Sequence, residues 1–250
     1  LYAFRRKMLG LRPADAGPFD LVVVGAGVAG CSAALSAARL GLKVALLSNR
    51  PILGGANTPE IGVGLAGKPD KNLYRQIGNI TRELSGNVIP KEGEKERLIT
   101  PPWARGKTGS SHLPVRGTEP EVADLRLEIM REEKNISLYL NTHAIGVEKE
   151  GKRITAVRAK SIETGKETIF RGRLFADCTG DGTVGQLAGA DYVEGREARD
   201  FADEPTAPAK ADDLHMGMSV LWDSKEGTRP VGFPSLAEIP WVGKGYDKCH

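Results

Sequence analysis

Residues 20–55, DLVVVGAGVAGCSAALSAARLGLKVALLSNRPILGG, decide the fold class. Leu21–Val24 is a short apolar, β-branched run, and Gly25, Gly27 and Gly30 follow it as G-x-G-x-x-G. Cys31–Leu40 is dense in Ala and Leu and reads as a helix that Gly41 stops; Val44–Leu47 is then the next strand. In such a unit the first glycine permits a tight turn and the second lets the backbone approach a pyrophosphate with no side chain between them. The third allows close packing of helix on strand. Free N–H groups opening the helix face the phosphates, where the helix dipole also favours negative charge. Gly25, Ala26, Gly27, Val28, Ala29 and Gly30 are therefore the first candidate contacts of a dinucleotide. The motif alone is weak evidence in a chain with 31 glycines among 250 residues. The strand before it and the helix after it favour dinucleotide binding over a structural turn.

Composition bounds the rest. A chain of this length buries roughly 70–75% of its unfolded surface, so a substantial core forms without disulfides. Forty per cent apolar and 27% charged residues are ordinary globular values. A net charge of +3 gives no basic stripe for a nucleic-acid groove, so no nucleic-acid partner is expected. Cys31, Cys178 and Cys249 have neither C-x-x-C nor zinc spacing, and no metal constellation stands out. They read as buried or free thiols of a reducing, cytoplasmic compartment. No apolar run approaches the roughly 20 residues that span a membrane, and LYAFRRKMLG at the start is a poor signal peptide. A chain that opens on Leu also suggests an N-terminal fragment of a longer protein.

Residues 1–19 read as a polar arm or the tail of a preceding element, and Pro13, Gly17 and Pro18 argue against a continuous helix reaching the first strand. Residues 51–67 are glycine-rich and read as a loop held by its contacts. Leu73, Ile77, Ile80 and Leu84 have helical spacing. Residues 85–117, in which Trp103, Arg105, His112 and Arg116 are scattered, form a solvated insertion or a lid loop. Thr118 and Glu121 have capping-box spacing, Pro120 sits in the first turn, and Val122, Leu125 and Ile129 predict the buried face of a helix ending near Glu133. A strand beginning at Leu138 and Leu140 is then expected, with three more around 144–149, 154–161 and 167–171. Together they make a β-meander that returns to a final strand over 174–177, with no further βαβ repeat.

Asp177-Cys178-Thr179-Gly180-Asp181-Gly182 closes that strand ahead of a small-residue helix over 184–190. Such a turn places backbone N–H groups and a carboxylate at the crevice where α/β sheets bind ligands. GAGVAG, RPILGGANTPEIGV, the meander and GDGTVGQLAGADY together resemble the FAD-dependent oxidoreductases of the two-dinucleotide-binding-domain type. The likeness covers roughly residues 20–234, with gaps at 85–117. It implies a Rossmann-like FAD-binding domain with a β-meander, made of 20–84 and 118–192, followed by the start of a β-rich substrate-binding region over 193–250. Leu214–Trp222 would be one of its strands.

The resemblance also implies a cofactor site. Gly25, Gly27 and Gly30 line the pyrophosphate, Gly54, Gly55, Ala56 and Asn57 pass near the ribityl chain and flavin, and the backbone of His143, Ala144 and Ile145 meets the adenine. Cys178, Thr179, Gly180 and Asp181 complete the site. Where the family usually places a glutamate on the adenosine ribose, this chain has Ser48, followed by Asn49 and Arg50. A neutral hydrogen bond contributes about 1 kcal/mol against about 1.5–3 for a charge-assisted one, so FAD affinity is expected to fall about tenfold. Arg50 makes a 2′-phosphate ligand conceivable.

The expected activity is hydride transfer between a small-molecule substrate and flavin. The alternatives are an incomplete or non-catalytic flavin-binding fragment, an RNA-modifying flavoprotein, and an NAD(P)-dependent dehydrogenase. The sequence names no catalytic acid or base. His112, His143 and His215 read as structural or surface residues, and Arg196 and Arg199 as part of a solvated charged face. No second glycine-rich turn follows Gly182 to cover the flavin ring, so a chain ending at His250 is expected to lose its flavin easily.

Overall fold

In the computed structural model, residues 12–65, 78–86, 118 and 120–215 are described. The strand–turn–helix–strand unit read from the sequence forms β1 (Ala14–Val24), α1 (Val28–Arg39) and β2 (Val44–Leu47). The chain continues through α2 (Gly78–Leu84), α3 (Pro120–Glu132), β3 (Ile136–Tyr139), β4 (Thr142–Glu150), β5 (Arg153–Ser161), β6 (Glu167–Asp177) and α4 (Thr183–Ala188). One six-stranded sheet has the order β3-β2-β1-β6-β5-β4. β3, β2, β1 and β6 run parallel, while β5 is antiparallel to both β6 and β4.

Burial explains the unbroken apolar runs in β1 and β2. Val23 and Leu46 face a cluster containing Leu35, Leu84 and Met130 from the helices. Val22, Val24, Ala45 and Leu47 face a second cluster with Val157, Phe170 and Val184. Successive strand side chains alternate faces, so strands covered on both sides need apolar residues at every position. Tyr139 meets Phe170 edge to face, with ring centroids 4.7 Å apart.

Four expectations are corrected. β1 starts at Ala14, inside the expected arm, because a bulge between Asp15 and Pro18 absorbs the proline where β6 is the neighbour and pairing with β2 has not begun. Ile136–Tyr139 belongs to the parallel sheet beside β2, so the chain does contain a second crossover, running through α2 and α3. The meander is β4, β5 and β6 alone. The expected strands at 167–171 and 174–177 are one continuous β6, since its whole length pairs with β1.

The fourth correction concerns α3, whose buried stripe is Val122, Ala123, Arg126 and Met130 rather than Val122, Leu125 and Ile129. Leu125 and Ile129 are only partly buried. α1 also begins three residues earlier than expected, at Val28. Leu73 and Ile77, nearly all of 85–117 with its Trp103, Arg105, His112 and Arg116, and residues 216–222 of the expected substrate-sheet strand lie outside the described residues.

The chain divides into two compact units between Tyr192 and Val193. In the second, a short helix α5 (Arg199–Ala202) is flanked by Arg196 and Asp212, which form an antiparallel bridge. The Arg196 guanidinium is engaged by the Asp212 carboxylate, and His215 lies 3.5 Å from Glu194. Among the described residues no helix is long and apolar enough to cross a membrane.

Candidate functional site

Parallel register sets Val24 between Leu47 and Asp177, so the turns after β1, β2 and β6 leave the sheet side by side. Gly25 donates its N–H to the Leu47 carbonyl at 2.9 Å and takes φ +99°. A Cβ there would stand 2.4 Å from the Cys178 carbonyl oxygen, so only glycine lets the first and last turns touch. Gly30 faces inward: its Cβ would lie 1.8 Å from the Gly25 oxygen, which fixes helix against turn.

Gly27 differs from both. It caps α1 at φ −63°, and a Cβ there would meet no protein atom within 4 Å. Its open side is the cleft. No side chain caps the N-terminus of α1 and no acidic residue occupies its first turn. The first N–H groups of a twelve-residue helix are thus left for an outside acceptor.

The loop after β2 closes the second side. Gly54 donates to the Ala26 carbonyl at 2.9 Å and bridges Gly27, which brings Gly55 to the cleft. Behind the loop lies the fully buried guanidinium of Arg126. Its Nε donates to the Leu84 carbonyl at 2.7 Å and its Nη1 to the Asn57 carbonyl at 2.5 Å and the Leu53 carbonyl at 3.4 Å. Nη2 reaches the Asn57 side-chain oxygen. Gly54 must be glycine partly because a Cβ would stand 2.0 Å from Nη1.

Ser48 directly follows β2 and is 3% exposed; its Oγ accepts the Arg50 N–H at 3.2 Å. Its carbonyl accepts the Thr142 N–H at 2.7 Å, which brings the start of β4 to the same cleft. The Arg50 guanidinium is ion-paired with Glu60 on the surface.

At the third turn, Asp177 works for the protein itself. One carboxylate oxygen accepts the Thr179 N–H and hydroxyl, and the other accepts the N–H groups of Val184 at 2.7 Å and Gly185 at 2.9 Å. Burial pushes its pKa up, but the Thr179 hydroxyl and the Gly185, Thr179 and Val184 N–H groups outweigh it and hold the carboxyl below 3.8. Thr179 Oγ1 also accepts the Thr183 N–H at 2.7 Å. Burial pushes the Cys31 thiol up to about 12, and burial followed by the Asp177 charge raises Cys178. Neither cysteine is poised as a thiolate.

These turns enclose a cleft of about 470 Å³. Gly25, Ala26 and Gly27 line it, as do Ser48, Asn49, Arg50, Gly55 and Ala56. So do His143, Ala144, Cys178, Thr179, Gly180 and Asp181. Gly54 and Asn57 lie behind the wall, drawn back toward Arg126. Val28, Ala29 and Gly30 form the first turn of α1, and Ile145 is outside the lining. Sequence reasoning missed Ile52, Ile61, Thr142 and Thr183 in the lining, and Arg126 behind it. Arg126 carried a signal: it is four residues from both Val122 and Met130, on one helical stripe.

Residues 20–238 match a family described as FAD dependent oxidoreductase. The chain belongs to this family. Its cofactor is FAD, and the residues present fit it: an uncapped helix N-terminus beside a glycine whose missing Cβ leaves the cleft clear. The chain has relatives of several kinds. It is 30% identical over 176 residues to a tRNA uridine 5-carboxymethylaminomethyl modification enzyme of Finegoldia magna, covering 70% of this chain and 26% of that protein. It is 29% identical over 143 residues to a digeranylgeranylglycerophospholipid reductase of Picrophilus torridus, covering 57% of this chain and 34% of the relative. The chain thus spans about a quarter to a third of the length of these relatives. Among solved structures it is similar to the myxobacterial chondrochloren halogenase CndH, with 26% identity, a TM-score of 0.46, and coverage of 72% of this chain and 41% of that one. A likeness to a tRNA-modifying enzyme leaves the expectation of no nucleic-acid partner without support.

Proposed function

We propose that this chain is the cofactor-binding part of an oxidoreductase that exchanges a hydride between a small-molecule substrate and FAD. In this reading the Gly25–Gly27 turn and the N–H groups opening α1 hold the pyrophosphate. Ser48, Asn49 and Arg50 face the adenosine ribose, His143 and Ala144 the adenine, and Gly55 and Ala56 the ribityl chain. Thr179, Gly180 and Asp181 close the remaining side. FAD supplies the hydride or electron transfer; the protein supplies binding, orientation and exclusion of water. Residues 20–84 and 118–192 make the FAD domain, and 193–250 the start of the substrate-binding region.

The observation that carries this reading is the convergence of three strand-end turns on one cleft beside an uncapped helix N-terminus. Its test is anaerobic mixing of the full protein with panels of small-molecule reductants and of oxidants, the latter after prereduction. Bleaching or return of the visible flavin band in a substrate-dependent manner is expected. A flavin that responds to no small molecule counts against the reading.

A second reading, a flavoprotein acting on tRNA, is favoured by the 30% identity over 176 residues to a tRNA uridine modification enzyme. Its test is mass spectrometry of tRNA nucleosides from cells with and without the protein. Loss of a modified uridine supports it, and an unchanged profile removes it.

A further inference from the structure

We propose that Arg126 is a positioning residue for the cofactor loop: from behind the wall of the cleft it sets the conformation of residues 53–57, and through them the affinity for FAD. This inference rests on the FAD reading of the cleft. A guanidinium presents five donors in a fixed plane, so one buried Arg bonds several carbonyls that no apolar side chain could satisfy. Here those carbonyls come from two places, the end of α2 at Leu84 and the loop at Leu53 and Asn57.

The loop is consequently stapled on both sides. Its front is tied to the glycine turn, where Gly54 donates to the Ala26 carbonyl. Its back is tied to Arg126, and the Asn57 amide relays the hold onward by donating Nδ2 to the Val63 carbonyl at 2.8 Å. Carbonyls turned inward toward Arg126 leave Gly55 and Ala56 as the loop's face to the cleft. Gly54, at φ +124°, is the hinge of that arrangement and gives room for the guanidinium. Met130, one turn further along α3, is equally buried and packs in the core cluster among apolar side chains. The two residues therefore separate loop positioning from core filling.

The test uses the full chain carrying Arg126→Lys, which keeps the charge but loses the planar fork, beside Met130→Ala as a control for lost packing. FAD affinity and the visible circular dichroism of the bound flavin are measured well below both melting temperatures. Amide hydrogen exchange over residues 53–63 is measured without FAD. R126K is expected to weaken FAD on the order of tenfold, to alter the flavin dichroism and to speed exchange across 53–63, while M130A leaves all three near wild type. Equal effects of the two variants, or none from R126K, overturn the proposal. If R126K does not fold, Asn57→Ala, which removes the side-chain acceptor of Nη2 and leaves the two backbone carbonyls in place, decides by the same criteria with a smaller expected effect. Failure of the wild-type chain to bind FAD would sink the reading of the cleft; the exchange result would still decide whether Arg126 orders the loop.

Discussion

Two helices begin at the cleft, and their N-termini are treated in opposite ways. α1 starts at Gly27 with no capping side chain and no acidic residue in its first turn. α4 starts after Gly182 with its Thr183, Val184 and Gly185 N–H groups already taken by Thr179 and Asp177. An N-terminus satisfied from within has little left to offer an anion, whereas an open one is completed by the ligand. On the proposed function the glycine turn is the receptor for phosphate, whereas the Asp177–Gly182 turn is a brace that holds β6 and α4 in place and presents Thr179–Asp181 as a wall.

Substitutions sharpen this contrast. Gly25→Ala should have the largest effect, because it forces a Cβ to within 2.4 Å of the Cys178 carbonyl at φ +99°. A loss of about 4 kcal/mol in chemical denaturation is expected, with or without FAD. Gly27→Ala, two residues away, should cost apo stability no more than about 1 kcal/mol, the loss of a glycine N-cap, since its Cβ meets no protein atom and its φ is ordinary. It should weaken FAD by about 2–3 kcal/mol in a fluorescence titration, because the methyl enters the cleft. Equal stability losses in the two variants would erase the distinction between packing and receptor glycines.

Asp177→Ala should cost about 1–2 kcal/mol of stability by uncapping α4, with a smaller effect on FAD affinity. A larger loss of FAD binding than of stability would make this turn a receptor too. The pH dependence has a defined sign. The Asp177 carboxyl is held below 3.8 in the folded chain, so its contribution is complete above that value and drains away as pH falls below it. Wild type should therefore lose stability more steeply than D177A in acid unfolding below about pH 4, and parallel curves would refute the assignment. Ser48→Ala should have the smallest effect, about 1 kcal/mol of FAD affinity, by removing a neutral hydroxyl.

The glycine turn was legible because its requirements are local: a strand, a positive-φ turn and a helix within twenty residues of sequence. Ser48 and Asp181 were placed through the family resemblance, and both line the cleft. Asp177 was half legible, since its place was clear but not that its oxygens would turn back to α4. Arg126 was not read at all, because a charged residue in a helix is ordinarily solvated. Its burial is decided by carbonyls up to 73 positions away. The β1 bulge and the place of β3 were missed for a similar reason: register with distant strands overrode proline and spacing signals.

The most direct measurement is to purify the full protein, denature it and identify the nucleotide released. FAD near one equivalent per chain is the predicted result, with G27A releasing far less at equal protein. Release of NADP, or of no nucleotide from wild-type protein offered FAD during folding, would contradict the account of the open α1 terminus.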